Sequence, residues 1–155
     1  MSRFSFGKVE TGKFQFIGLN ITQTEDGISV DQNDYIESLQ FIQIDKLVDP
    51  KCSLPKDKFA EYRALTGQLN WAAENTRPDL AFDARELSTK NKCATYEDLK
   101  YANKVLKKAK MEKNVCLKYR KLGGLQDLKV IVYTDSSYRN AEEKVKSVFH
   151  FQHYL

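Results

Sequence analysis

The chain has 155 residues, enough for one ordinary hydrophobic core or two small ones sharing an interface, and too few for two large domains. Hydrophobic residues make up 41% and charged residues 30%, a balance that excludes a disordered, charge-dominated tail. Lysine and arginine number 25 against 21 acidic residues, so the net charge of +4 permits a polyanionic partner without requiring one.

Cys52, Cys93 and Cys116 are odd in number and far apart, without a C-x-x-C pair, and are read as buried, reduced thiols. No apolar run approaches the roughly 18 to 20 residues that span a bilayer, and the N-terminus lacks a signal-peptide core. An intracellular protein with no membrane partner is the expectation.

In chain order, Phe14 to Thr22 reads as one strand, Glu25-Asp26-Gly27 as a turn, and Ile28 to Val30 as the return strand of a hairpin. Asp31 is placed to cap a short helix carrying Tyr35, Ile36 and Leu39 on one face. Asp49 to Lys56 holds two of the three prolines and reads as a linker. Phe59, Tyr62, Leu65, Leu69 and Ala73 then recur at helical spacing, which places them, and Trp71 with them, in a core. Pro78 opens a second helix with Leu80, Ala84 and Leu87 on its apolar face. Thr95 and Asp98 predict a capping box ahead of a third helix with Leu99, Ala102, Leu106 and Ala109 inward. Val115 to Tyr119, a Gly123-Gly124 turn and Leu128 to Tyr133 predict a closing hairpin. The predicted class is α+β: a β-hairpin and short helix, a central three-helix bundle, then a second β-hairpin.

Three segments, taken in order, resemble the Ty1/copia family of retrotransposon polyproteins. The first runs through Phe16-Ile17-Gly18, Gly27, Gln32, Tyr35 and Ile36. The second is Tyr62-Arg63-Ala64-Leu65-Thr66-Gly67-Gln68-Leu69-Asn70-Trp71, closed by Thr76-Arg77-Pro78-Asp79-Leu80, and the third is Tyr133-Thr134-Asp135-Ser136-Ser137-Tyr138. Joint order and spacing carry the likeness, and Thr76-Arg77-Pro78-Asp79 is its most specific part.

The resemblance implies three parts: residues 1–48 at the end of a reverse transcriptase palm, 49–114 as thumb-like connection helices, and 115–155 as the truncated start of an RNase H-like domain. It implies an RNA-directed DNA polymerase with RNase H, both using two Mg²⁺ ions held by converging carboxylates. The family's Tyr-x-Asp-Asp polymerase signature is absent from this chain. Asp135 matches the first metal-binding aspartate of a copia-type RNase H, and one carboxylate does not make a two-metal site. Its alternative role is a strand-end carboxylate capping a turn. No catalytic set is complete, and no cofactor is expected for the chain alone. The family motif positions Gly18, Gln32, Tyr35, Tyr62, Gly67, Arg77, Pro78 and Asp79 are read as structural. Arg77 and Asp79 flank a helix start, as capping and the helix dipole would have them.

Lys100, Lys104, Lys107, Lys108, Lys110 and Lys113 crowd the third helix and its end. Such a face either tracks phosphates, with salt-dependent and sequence-independent binding, or is simply solvated. His150 and His153 stand without the further ligands that would make the about four of a structural zinc. The functional expectation is a fragment of a reverse transcriptase/RNase H polyprotein, inactive alone, that binds RNA/DNA hybrid or duplex DNA weakly. One alternative makes it part of an active polymerase, with the remaining reverse transcriptase and RNase H segments as partners. Another makes it a domesticated interaction module that pairs through a free sheet edge.

Overall fold

A computed structural model describes residues 9–45, 47–121 and 123. The chain divides into two compact units, residues 1–121 and 122–155, and the elements below all belong to the first. Asp135, His150, His153 and the expected strand Leu128 to Tyr133 lie outside the described residues.

Four strands and four helices follow one another: β1 (Lys13–Phe16), β2 (Leu19–Thr24), β3 (Gly27–Asp31), α1 (Asn33–Ser38), α2 (Lys56–Asn75), α3 (Ala81–Thr89), α4 (Tyr96–Met111) and β4 (Leu117–Arg120). A single 3₁₀ turn, Pro78–Leu80, leads into α3. The α+β class is as expected. The strands form one antiparallel sheet in the order β1-β2-β3-β4.

The stretch Phe14 to Thr22 is two strands rather than one. Ile17 and Gly18, at φ +49° and +74°, form a two-residue turn between Phe16 and Leu19, which pair across it. Positive φ at both central positions suits the right-handed twist of a hairpin. Glu25 and Asp26 form the next turn and Thr24 pairs with Gly27.

Leu117–Arg120 does not wait for a later strand. It pairs with β3, Val30 opposite Leu117 and Gly27 opposite Arg120, so the residues placed on sequence grounds with the final segment belong to the sheet of the first. Gly27 makes the approach feasible: its φ is +151°, and a Cβ there would collide with the carbonyl oxygen of Tyr119.

The register puts Phe14, Ile21, Val30 and Leu117 in one row across all four strands. With Phe16, Leu19, Ile28 and Tyr119 they make one sheet face apolar, while the other carries Gln15, Asn20, Ser29 and Lys118. No strand residue is fully buried, and the core lies in the helices and their connections: Ile36, Leu39, Tyr62, Leu65, Leu69, Leu80, Ala84, Leu87, Leu99, Leu106 and neighbours.

The apolar stripes of α2, α3 and α4 bury against one another as their 3.6-residue spacing dictates. The capping box at α4 is formed: Asp98 N donates to Thr95 Oγ1, and Thr95 N donates to Asp98 Oδ2 at 2.8 Å. The start of α1 differs from expectation. Gln32 is its N-cap residue, and Asp31 instead accepts from Asn33 N and Asn20 Nδ2 at 3.0 and 3.1 Å, tying helix to sheet.

The cysteines are not buried as expected, since Cys52 and Cys93 are exposed and Cys116 is half-buried. Residues 49–56 are more than a linker. Tyr96 N donates to the carbonyl of Cys52, Glu97 N to that of Pro50, and Leu54 N to that of Ala94, which fastens this segment along the start of α4. Asn103 acts likewise from mid-α4: its amide accepts from Ile42 N at 2.9 Å and donates to Ile42 O at 2.8 Å, a side-chain imitation of a β-ladder rung.

Candidate nucleic-acid interface

The lysines of α4 and Lys113 just beyond its end fall into two groups. Lys100, Lys104 and Lys107 are exposed and spaced i, i+4, i+7, which stacks them on one stripe of the helix. None makes a hydrogen bond or ion pair among the described residues. Their charges face solvent beside Met111, which is 73% exposed.

The other three are engaged within the chain. Lys108 lies 3.5 Å from Asp83 and also donates to the carbonyl of Asp79. Lys110 donates to the carbonyl of Glu37 at 2.9 Å and sits 5.5 Å from the centre of the Phe41 ring, a cation–π distance. Lys113 pairs with the Glu37 carboxylate at 2.7 Å. That lysine holds the Glu37 carboxyl below the ordinary range. Asp83 accepts the Tyr101 hydroxyl at 2.6 Å, and this bond pushes the phenol up to about 12.

The motif residues mark the joints that hold α4 in place. Arg77 is fully buried. Its Nε and Nη2 grip both oxygens of Asp79 at 2.9 and 2.8 Å, Nη1 donates to the carbonyl of Ala109 at 2.9 Å, and Glu112 stands 3.5 Å from Nη2. Ala109 lies in the last turn of α4, where carbonyls lack helical partners, so a buried guanidinium serves as a cap delivered from the α2–α3 connection. Hydrogen bonding from Arg77 lowers the Asp79 pKa below its ordinary value. Pro78 sits at the first position of the 3₁₀ turn, where its missing N–H costs nothing. The expectation of simple helix-start capping was too local, because Arg77 reaches thirty-two residues along the chain.

Gln32 and Thr76, both buried, join the entry to α1 and the end of α2 through a 2.9 Å bond from Thr76 Oγ1 to Gln32 Oε1. Tyr62, buried in the core, donates to the carbonyl of Leu87 at 2.7 Å, and burial pushes its hydroxyl up to about 12. Tyr35 reaches the carbonyl of Gln68 at 3.4 Å. Gly18 serves the β1–β2 turn.

Gly67 is different. It lies in the interior of α2, exposed, with nothing within 4 Å of a Cβ built on it, so packing inside the chain does not demand a glycine there. A mid-helix glycine costs about 1 kcal/mol against alanine. Arg63 and Trp71 flank it at i−4 and i+4, both exposed, with Trp71 40% accessible. Helical periodicity placed Trp71 in the core, but its position is one residue outside the buried stripe of Leu65, Leu69 and Ala72. The three together present a cation, an open stretch of backbone and an indole face on one side of α2. Periodicity could have shown this stripe, since 63, 67 and 71 are four residues apart.

Among the described residues, no group of three or more His, Cys, Asp or Glu is placed to hold a metal ion, so these residues do not provide a two-metal site. No helix among them is long and apolar enough to cross a membrane. No protein family profile and no solved structure matches the chain. The chain is 32% identical over 146 residues to the putative transposon Ty5-1 protein YCL074W of Saccharomyces cerevisiae. That match takes in 85% of this chain and 45% of the yeast protein, so the chain spans less than half the length of its curated relative. This similarity, over most of the chain, supports a retrotransposon-derived protein.

Proposed function

We propose that this chain is a nucleic-acid-binding part of a Ty1/copia-type retrotransposon polyprotein, running from the end of the reverse transcriptase through its thumb-like helices toward RNase H. Its role is to hold an RNA/DNA hybrid or duplex DNA by the phosphate backbone, and it carries out no chemistry alone. The observation that carries this reading is the stripe of Lys100, Lys104 and Lys107, exposed at consecutive turns with no acidic partner among the described residues. A row of unpaired ammonium groups on a rigid helix matches a polyanion better than a folded protein's own interior, and releases counterions when it binds. Arg63, Gly67 and Trp71 support the same reading from α2, with a guanidinium for phosphate, a backbone free of side-chain cover, and an aromatic face.

Catalysis by two metal ions would require Asp135 and further carboxylates brought to it, with Mg²⁺ supplied from solution. The described residues contribute no such cluster. In this reading an active polymerase is completed by the remaining reverse transcriptase and RNase H segments.

Fluorescence anisotropy of a labelled RNA/DNA hybrid, titrated with the chain at several KCl concentrations, tests the proposal. Binding that weakens linearly in log–log form with salt, and falls at least tenfold in a Lys100→Glu, Lys104→Glu, Lys107→Glu variant, is the expected result. Equal binding by that variant and the parent chain would show that the stripe is only a solvated helix face.

A further inference from the structure

Two lysines, Lys108 in α4 and Lys113 just beyond its end, meet acids in different settings. Asp83, which faces Lys108, also accepts the Tyr101 hydroxyl at 2.6 Å and is 21% exposed, so that carboxylate is already bound into the packing of α3 against α4. Glu37 has no other side-chain partner among the described residues. It stands on the exposed side of α1, with Lys113 at its carboxylate, 2.7 Å, and Lys110 at its main-chain carbonyl, 2.9 Å. The side chains of Lys113 and Glu37 are 61% and 46% exposed, so water reaches both and the pair exchanges readily with other ions.

We propose that Glu37 is an internal competitor for nucleic-acid phosphate: its carboxylate occupies Lys113 in the free protein and is displaced when a polyanion arrives. This inference rests on the lysine-rich face of α4 being a phosphate-binding surface. A phosphodiester offers Lys113 an oxyanion equivalent to the carboxylate, with further phosphates spaced along the strand for Lys107 and Lys104. The exchange swaps one ion pair for another and adds the release of counterions from the nucleic acid. Glu37 thereby lowers affinity for short or sparse anions while leaving an extended backbone able to bind.

Replacing Glu37 should expose the competition. The full chain, its Glu37→Gln, Lys113→Gln and Glu37→Gln/Lys113→Gln variants, and a Glu25→Gln variant that removes the same charge from the β2–β3 turn, are titrated with a labelled RNA/DNA hybrid from 50 to 300 mM KCl. Glu37→Gln should bind about threefold tighter than the parent at 100 mM with an unchanged salt slope, because Lys113 reaches the same phosphate in both once the carboxylate is displaced. Lys113→Gln should bind more weakly than the parent, with a salt slope shallower by about one unit, and the double variant should lose the gain. If the parent binds and Glu37→Gln matches Glu25→Gln, or the double variant keeps the gain, the competitor role is overturned while the lysine stripe stands. If none of the chains binds at 50 mM KCl, both readings fall.

Discussion

Ile17 occupies a backbone conformation that its side chain opposes. A β-branched residue at φ +49° sets Cβ against its own carbonyl, a cost of about 1–2 kcal/mol that glycine and asparagine largely avoid. Its side chain is 67% exposed at the hairpin tip and returns little by burial. Ile17→Asn is therefore expected to raise the stability of the chain by about 1 kcal/mol, read as a shift of the urea midpoint with an unchanged slope. Arg77 and Asp79 show the opposite economy, with every polar atom of a buried guanidinium given a use. Because the Asp79 pKa is lowered in the fold, its contribution is complete above the ordinary carboxylate value of about 3.9 and drains away as pH falls through the lower folded value. Asp79→Asn should cost ~2 kcal/mol at pH 7, less than a fully buried pair because Asp79 is partly exposed. In urea melts from pH 7 down to pH 3, the parent should lose stability that the variant has already lost, so the two curves converge.

At the scale of elements, what could be read from the sequence was set by whether local periodicity or distant contact decides the outcome. The buried faces of α2, α3 and α4 were legible because an amphipathic helix writes its own inward stripe, and the Thr95 capping box because it needs only four adjacent residues. The break at Ile17-Gly18 was not, since an isoleucine in a two-residue turn contradicts the usual turn chemistry and the flanking residues alone favour one long strand. Trp71 was misplaced for the opposite reason: an aromatic residue in a helix is ordinarily core, and its exposure follows from the exact phase of the α2 stripe. The lysine face was legible as a cluster, but its division into free and engaged charges depends on Glu37 and Asp83, which approach from other helices. The partner of β4 was invisible for the same reason. Gly27 carries that pairing, and Gly27→Ala, with φ +151° and the Tyr119 carbonyl in the way, is expected to destabilise the β3–β4 edge by about 2 kcal/mol. Hydrogen exchange should show this as faster exchange in Leu117–Arg120 while the amides of α2 remain protected.

At the scale of the molecule, the described unit is a sheet and a helical core joined by polar fasteners rather than by shared apolar burial. Gln32 bonded to Thr76, Asp31 to Asn20 and Asn33, and Asn103 to Ile42 bridge the strand end, α1 and the helices, while the core itself contains no strand residue. This arrangement leaves the lysine stripe on a rigid scaffold whose far end is fixed by Arg77, which suits a surface that must keep its charges at a set spacing. The pairing of β4 with β3 also governs the order in which the chain can be completed. All four helices lie between those strands in sequence, so during synthesis β3 emerges early and its outward edge has no partner until Arg120 has left the ribosome. For that interval the nascent hairpin offers bare N–H and C=O groups beside an apolar face, the combination that recruits neighbouring strands into aggregates. Slowing translation across the helices lengthens that exposure, and the yield of soluble chain is thus tied to how quickly its last described strand arrives.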